Sequence, residues 1–440
     1  MSNTRNPYLI PFALVCSLFF LWGIPNSMNG SLIRHFQFAL DLKRWQAGIV
    51  DSAFYFGYFV MAIPAGMFMR RYGYKAGILT GLLLFAVGAL LFVPAGNIRV
   101  YAFFLFALFT IASGLAFLET AANLYVTVLG DPKKAEWRIN FAQTFNGIAI
   151  IIGPIIGARF IFSDLDTKQL LATKTEAELA VYRAQEAQSV QMPYLTIGLI
   201  LLAVAVVFWL TKMPEVGREE EQAAHEKVTV GGLLGKYRHL SLGVLAQFAN
   251  VGAQATLWGY FADFKLDFSP NEHIGLTVSY ANALFGADSN VTPEKIANYH
   301  ASFAMILFLL GRVFGTSLMS RVEPRRVMSF YSVAAVALVL AAFLLGGLAG
   351  VACIMLTYFC QSIMFPTIFA LSTRGLSPAE SKLASSLVIM AIVGGAVLPP
   401  IAGLLSQAGG MKMALLVPLF CFLYVIWYVM KGCKPAVQTA

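Results

Sequence analysis

The 440 residues are 58% hydrophobic and only 12% charged, too apolar for a water-soluble fold, whose surface needs far more charge to stay dispersed. A formal charge of +9 suggests a nucleic-acid surface at first sight, but the basic residues sit in turns between apolar runs, so no nucleic-acid partner is expected. The apolar excess has to face lipid, and a hydrocarbon core of about 30 Å takes roughly 20 apolar residues per helical span.

On that criterion the chain is expected to be an all-α membrane protein. Spans are predicted at 9–33, 45–69, 76–96, 100–125, 138–162 and 192–212, and again at 239–262, 297–318, 326–346, 350–372, 383–406 and 411–430. The first begins near Tyr8. It is too long and too polar at its far end for a cleaved leader, and no small-residue cleavage site follows, so it is expected to remain as a helix. Trp22, Asn26 and Asn29 stand at i, i+4 and i+7 within it, on one face.

The second span carries Asp51 near its start, and the fourth carries Glu119 in AFLETAANLYVTVLG, with Asn123 one turn later on the same face. An ionisable group in hydrocarbon costs about 2.5–3.5 kcal/mol on insertion scales, which makes each one a functional candidate by default. A protonatable carboxyl beside a carboxamide can both hydrogen-bond a polyol and carry a proton. A neutral glutamic acid tying two helices together is the plainer alternative. In the fifth span Gln143 and Asn146 are three apart, followed by Gly147, Gly153, Pro154 and Gly157.

Between the sixth and seventh spans the stretch from Pro214 to Lys236, with its Glu219–Glu221 run, is the only long linker on the inner side. It divides a six-helix half at 1–212 from a linker at 213–238 and a second half at 239–440. Gln247, Asn250 and Gln254 form a stripe in the seventh span, the equivalent of the first in a duplicated fold. Amides beside an aromatic ring suit a neutral sugar, whose hydroxyls need paired partners and whose C–H faces pack on rings. Each amide alone is as well explained as glue between helices.

The two halves also repeat a glycine followed by a basic turn: PAGMFMRRYGYKAG (64–77) joins spans two and three, and GTSLMSRVEPRRVM (315–328) joins spans eight and nine. Such parallel repeats are expected of carriers. Gly394, Gly395, Pro399, Pro400 and Gly403 crowd the eleventh span, either as hinges or as sites of close helix packing. The outer stretches Ser163–Gln191 and Asp263–Ala297 are expected to be solvated surface.

Arg5, Arg70, Arg71, Lys75, Lys133, Lys134 and Arg138, with Lys212, Arg218, Lys227, Lys236, Arg238, Arg312, Arg321, Arg325, Arg326, Arg374, Lys382, Lys431 and Lys434, fall on one side of this arrangement. That places both termini in the cytoplasm and the protein in a bacterial-type inner membrane. The five cysteines lie in or beside spans without CxxC spacing and read as packing residues. His35, His225, His239, His273 and His300 fall in loops or at span ends, so no metal site is expected. Thr229 stands where a zinc-protease motif beginning at His225-Glu226 would need its second histidine, and there is no Walker loop. The chain is therefore not expected to be an enzyme or to need a cofactor, and the only co-transported ion expected is the proton.

IPFALVCSLFFLWG (10–23), LETAANLYVTVLG (118–130), NFAQTFNG (140–147), VLAQFANVGAQATLWGY (244–260), FPTIFALS (365–372) and SSLVIMAIVGGAV (385–397) resemble the L-fucose:proton symporter family of the major facilitator superfamily. The resemblance implies a major facilitator fold of twelve transmembrane helices in two six-helix halves. It also implies alternating access to a central cavity and import of a monosaccharide with a proton. The family's fourth-helix carboxylate, which takes part in sugar binding and proton coupling, falls on Glu119, and its fifth-helix sugar-recognition amides fall on Gln143 and Asn146. Its second acid follows an asparagine at the outer end of the first helix, whereas this sequence reads Asn29-Gly30. Asp51 is the candidate for a carboxylate relocated to the adjacent helix. The alternatives are an uncoupled facilitator and a non-transporting membrane sensor. A monomer is expected, with a monosaccharide and the bilayer as partners.

Overall fold

The computed structural model describes residues 8–42, 49–160, 174–214, 229–269, 272–285 and 293–434; within these, side chains at 25–35, 37–38, 50–52, 151–160, 281–282, 284–285, 293–295 and 298 are not described. Among the described residues, each of the twelve expected spans falls on helix; 45–48 and 161–162 lie outside them. The first is Leu9–Ala39; the second and third share the run Ile49–Leu90, broken at Gly73, whose φ of 87° only glycine adopts freely. Then come Tyr101–Val128, Ala135–Phe160 and Gln191–Leu210 as spans four to six. Arg238–Gly259, Pro293–Met319 and Pro324–Leu345 are spans seven to nine. The tenth is split into Gly347–Gln361 and Met364–Ser372, the eleventh into Pro378–Met390 and Gly394–Gly409, and the twelfth runs from Met411 to Gly432 in short pieces.

Among the described residues, eight helical runs are long and apolar enough to cross a membrane, and one of them, Ala53–Ile98, holds spans two and three. The seventh is not in that set, because Gln247, Asn250 and Gln254 dilute its hydropathy. Large apolar side chains stand exposed along the others, including Phe106, Trp209, Leu210, Phe330, Leu344 and Phe420, as a bilayer requires and water would not tolerate.

The chain divides into two compact units, Met1–Tyr125 with Ile148–His225, and Val126–Gly147 with Glu226–Ala440. The first half of the fifth span thus belongs with the second unit. Asn140 Nδ2 donates to Thr367 Oγ1 at 3.2 Å, and the carbonyl of Gln143 accepts from Arg312.

The repeated basic turns have the same physical task in both units. The last carbonyls of a helix have no helical donors, and a cation there satisfies them and meets the negative end of the helix dipole. Lys75, opening the third span, donates to the carbonyls of Trp209 and Thr211 at 2.7 and 2.8 Å, closing the sixth. Arg325, opening the ninth, donates through Nε to the Val429 carbonyl at 2.8 Å and through Nη2 to that of Met430, closing the twelfth. Arg138 treats the end of the fourth span likewise, reaching the carbonyls of Val126 and Thr127 at 2.9 and 2.5 Å.

The described parts of the outer stretches are largely helical. Glu176–Ser189 is a helix opened by a Thr175/Glu178 capping box; it buries Leu179 and Ala187, and Arg183 pairs with Asp41 at 2.9 Å. Phe261–Phe268 and Gly275–Phe285 are also helical. The buried ring of His300 accepts the Ile274 N–H at 3.1 Å, which ties the second outer stretch to the eighth span.

At Gly394 the structure favours close packing: a methyl group there would overlap the carbonyl of Phe248 on the seventh span. Backbone cannot swing aside as a long side chain can, so Gly394→Ala is expected to cost about 1–3 kcal/mol, the usual range for overpacking. Unfolding of the purified variant in detergent measures it. The packing around Gly153, Pro154 and Gly157 lies outside what the structure describes.

Candidate functional site

In the first unit Glu119 is 6% exposed, in the middle of Tyr101–Val128. Tyr58 Oη, itself buried, donates to its Oε1 at 2.6 Å. Among the described residues no cation pairs with it. A phenol suits both forms of the acid, since it donates to a carboxylate and can accept from a carboxylic acid. Thr120 is wholly buried with no partner for its hydroxyl, and Asn123, one turn beyond Glu119, is wholly buried too. Trp22 is 2% exposed and packs on Phe19 with ring centroids 4.2 Å apart, so neither face is open to a solute. The side chains of Asn26, Asn29 and Asp51 lie outside the described residues.

In the second unit Gln143 and Asn146 are 6% and 9% exposed on the fifth span. On the seventh, Gln247 reaches the carbonyl of Phe365 at 3.5 Å through Nε2, and its Oε1 has no partner. Asn250 is 1% exposed, with both amide atoms unpaired. Tyr358 Oη on the tenth span donates to the carbonyl of Leu257 on the seventh at 3.3 Å, so with the contact to Phe365 the two helices run in opposite directions. Gln361 donates to Thr357 Oγ1 at 3.0 Å, and its Oε1 is unpaired. Further along the seventh span Trp258 is half-buried, stacked on Tyr358 and edged by Phe308, and its indole N–H has no partner. Gln254 is half-buried on the same helix.

Sequence reasoning misplaced one residue of this unit. Arg312 was grouped with the inner-side bases, but it lies inside Pro293–Met319 and is 4% exposed. Its Nε donates to the Ser362 carbonyl at 2.8 Å, its Nη1 to that of Gln143 at 2.6 Å, and its guanidinium lies 4.6 Å from the centre of the Phe308 ring. The Ser362 carbonyl needs that donor because the residue four further on is Pro366, which has no N–H to give it. The signal was present in the sequence, as a lone cation in an apolar run and a proline in another. Tyr58, Trp258 and Gln361 were missed as well, being residues of types that apolar spans commonly contain.

Buried, unpaired amide groups cost about 1–3 kcal/mol each when nothing satisfies them. Hydroxyl groups, which both donate and accept, are chemically able to pair with such atoms and with the indole N–H of Trp258.

Comparison with known proteins agrees in fold and in kind. The pattern of the Major Facilitator Superfamily matches residues 12–289. The L-fucose-proton symporter of Escherichia coli (strain K12) is 40% identical over 426 residues, 96% of this chain and 92% of its own. A glucose/galactose transporter of Brucella abortus is 33% identical over 433 residues, covering 98% of this chain and 96% of its own. The crystal structure of the E. coli fucose symporter in an outward conformation superposes with a TM-score of 0.83 at 38% identity, covering 96% of this chain and 99% of that one. The chain belongs to the major facilitator superfamily, in its L-fucose:proton symporter family.

Proposed function

We propose that the protein is a secondary carrier that brings a monosaccharide, L-fucose or a related hexose, into the cytoplasm together with a proton by alternating access. The observation that carries this reading is the set of unpaired amide atoms, Oε1 of Gln247 and Gln361 and both polar atoms of Asn250, inside a membrane-embedded unit. An inert scaffold gains nothing from such groups. In this reading Gln143, Asn146, Gln247, Asn250 and Gln254 bind sugar hydroxyls, and Asn26, Asn29 and Asn123 are further candidates for the same role. Glu119 carries the proton and shares in the hydroxyl contacts. Trp258 supplies a more open ring than Trp22. Asp51 takes over the coupling role of the acid that the family keeps beside Asn29. The protein is a monomer with both termini cytoplasmic, and its work is carriage with no covalent change to the sugar.

An uncoupled facilitator is the second reading, favoured by Gly30 in place of an acid. Thermal shift and radiolabelled uptake across monosaccharides at two pH values distinguish the two readings and name the substrate. Asn250→Leu in the same assay is expected to weaken sugar binding about 10–100-fold, as for one or two lost hydroxyl contacts, while leaving the protein at least as stable, since it removes a polar group with no partner. Unchanged affinity would take Asn250 out of the site.

A further inference from the structure

We propose that the second unit holds a binding site for one anionic phospholipid, between the start of the fifth span and the inner end of the eighth. A cavity of about 700 Å³ lies there, lined among others by Lys133, Lys134, Trp137, Phe141, Val313 and Thr316. It is polar at one end and apolar along the other. Lys133 and Lys134 stand exposed in the turn Pro132–Lys134, and no acid among the described residues pairs with their ammonium groups. The carboxylate of Asp131, a residue that also lines the cavity, accepts the Lys133 backbone N–H at 2.9 Å, and the two lysines outweigh its single charge.

Deeper in, Thr316 is 5% exposed and its hydroxyl has no partner, so a donor and acceptor waits inside the cavity. Beside it the lining is largely apolar: Trp137 stacks on Phe141 at 5.2 Å, and Phe141 and Val313 are 36% and 50% exposed. Two free cations at the membrane boundary, a buried hydroxyl below them and an open aromatic and aliphatic wall match a phosphate headgroup with its first acyl carbons. A soluble anion would use the lysines and leave the wall bare. A zwitterionic lipid would use the wall and gain little from two cations. The groove also joins helix Ala135–Phe160 to helix Pro293–Met319, so an occupant there would brace the helix that carries Gln143 and Asn146.

The test uses the full chain, purified in detergent and exchanged with dioleoylphosphatidylglycerol, dioleoylphosphatidylcholine or inorganic phosphate. Retained lipid is read by native mass spectrometry, and stability by thermal unfolding. One tightly retained phosphatidylglycerol and an upward shift in melting are expected for the wild type, with neither effect from phosphatidylcholine or phosphate. The double variant Lys133→Ala/Lys134→Ala should melt as the wild type does without lipid, because both side chains are exposed, and should bind phosphatidylglycerol roughly tenfold or more weakly. Thr316→Val should weaken it further without touching the charge.

Equal retention by the double variant would overturn the proposal. So would stabilisation by phosphate alone, which would mean a simple anion site, or equal stabilisation by phosphatidylcholine, which would mean a charge-blind groove. Displacement of the lipid by polyglutamate at low concentration would make the occupant an acidic peptide instead.

Discussion

Glu119→Gln should reduce sugar accumulation to the equilibrium ratio while leaving sugar exchange across the membrane measurable. Glutamine matches glutamate in shape and keeps an oxygen for the Tyr58 hydroxyl, now 2.6 Å from Oε1, but it cannot take up or release a proton. The variant therefore separates two duties that the acid performs together. In vesicles with an inward proton gradient, the wild type should concentrate its sugar, alkalinise the medium when sugar is added, and slow as the external pH rises. The variant should show no alkalinisation and no dependence on the gradient. Its counterflow should persist at about a tenth of the wild-type rate or better, since one charge-assisted contact to the sugar is weakened and the others remain.

Persistent accumulation in the Glu119→Gln protein would remove the acid from coupling altogether. Asp51→Asn is the informative companion. If the coupling acid has moved from the first helix to the second, this variant too stops accumulating. Wild-type accumulation in Asp51→Asn beside an uncoupled Glu119→Gln would leave Glu119 as the single coupling acid.

The spans could be read from composition because a bilayer allows few solutions: apolar runs of a fixed length must be helices. Glu119 stood out for the same reason, a carboxyl with no business in hydrocarbon. What pairs with it could not be read, since Tyr58 lies 61 positions away and meets it only through the packing of the second span on the fourth. The amide stripes show a complementary limit. Periodicity placed Gln247, Asn250 and Gln254 on one face, but whether a carboxamide is satisfied depends on the neighbouring helix, and the tenth span added Gln361 where no stripe pointed to it. Gly394 was legible as a small residue and ambiguous as to purpose until the Phe248 carbonyl was found against it. The outer stretch 163–191 carried a helix-forming composition, and its Thr175/Glu178 capping box was open to sequence reading.

Arg312 makes a second case in which removing a charge should separate stability from function. Taking a guanidinium out of water costs several kcal/mol, which its two carbonyl bonds and the Phe308 ring offset only in part. Arg312→Met, of similar volume and without charge, escapes that cost but leaves the Ser362 carbonyl with no donor, because Pro366 cannot supply one; the orphan costs about 1–3 kcal/mol. The two terms oppose each other, so the methionine variant should unfold close to or above the wild type. Arg312→Ala leaves the same orphan and adds a cavity, and should lose roughly 3–5 kcal/mol.

Transport should follow a different order. Both variants cut the tie between Arg312 and the Gln143 carbonyl, and with it the fixed position of the fifth-span amides relative to the eighth and tenth spans. Sugar uptake by the stable methionine variant should therefore fall about tenfold or more, chiefly through weaker sugar binding. Full uptake in Arg312→Met would reduce the arginine to a donor for one proline-orphaned carbonyl. Loss of uptake in a protein that melts no lower than the parent would mean that the buried charge is retained for the geometry it imposes on the sugar-binding helix, against its cost to the fold.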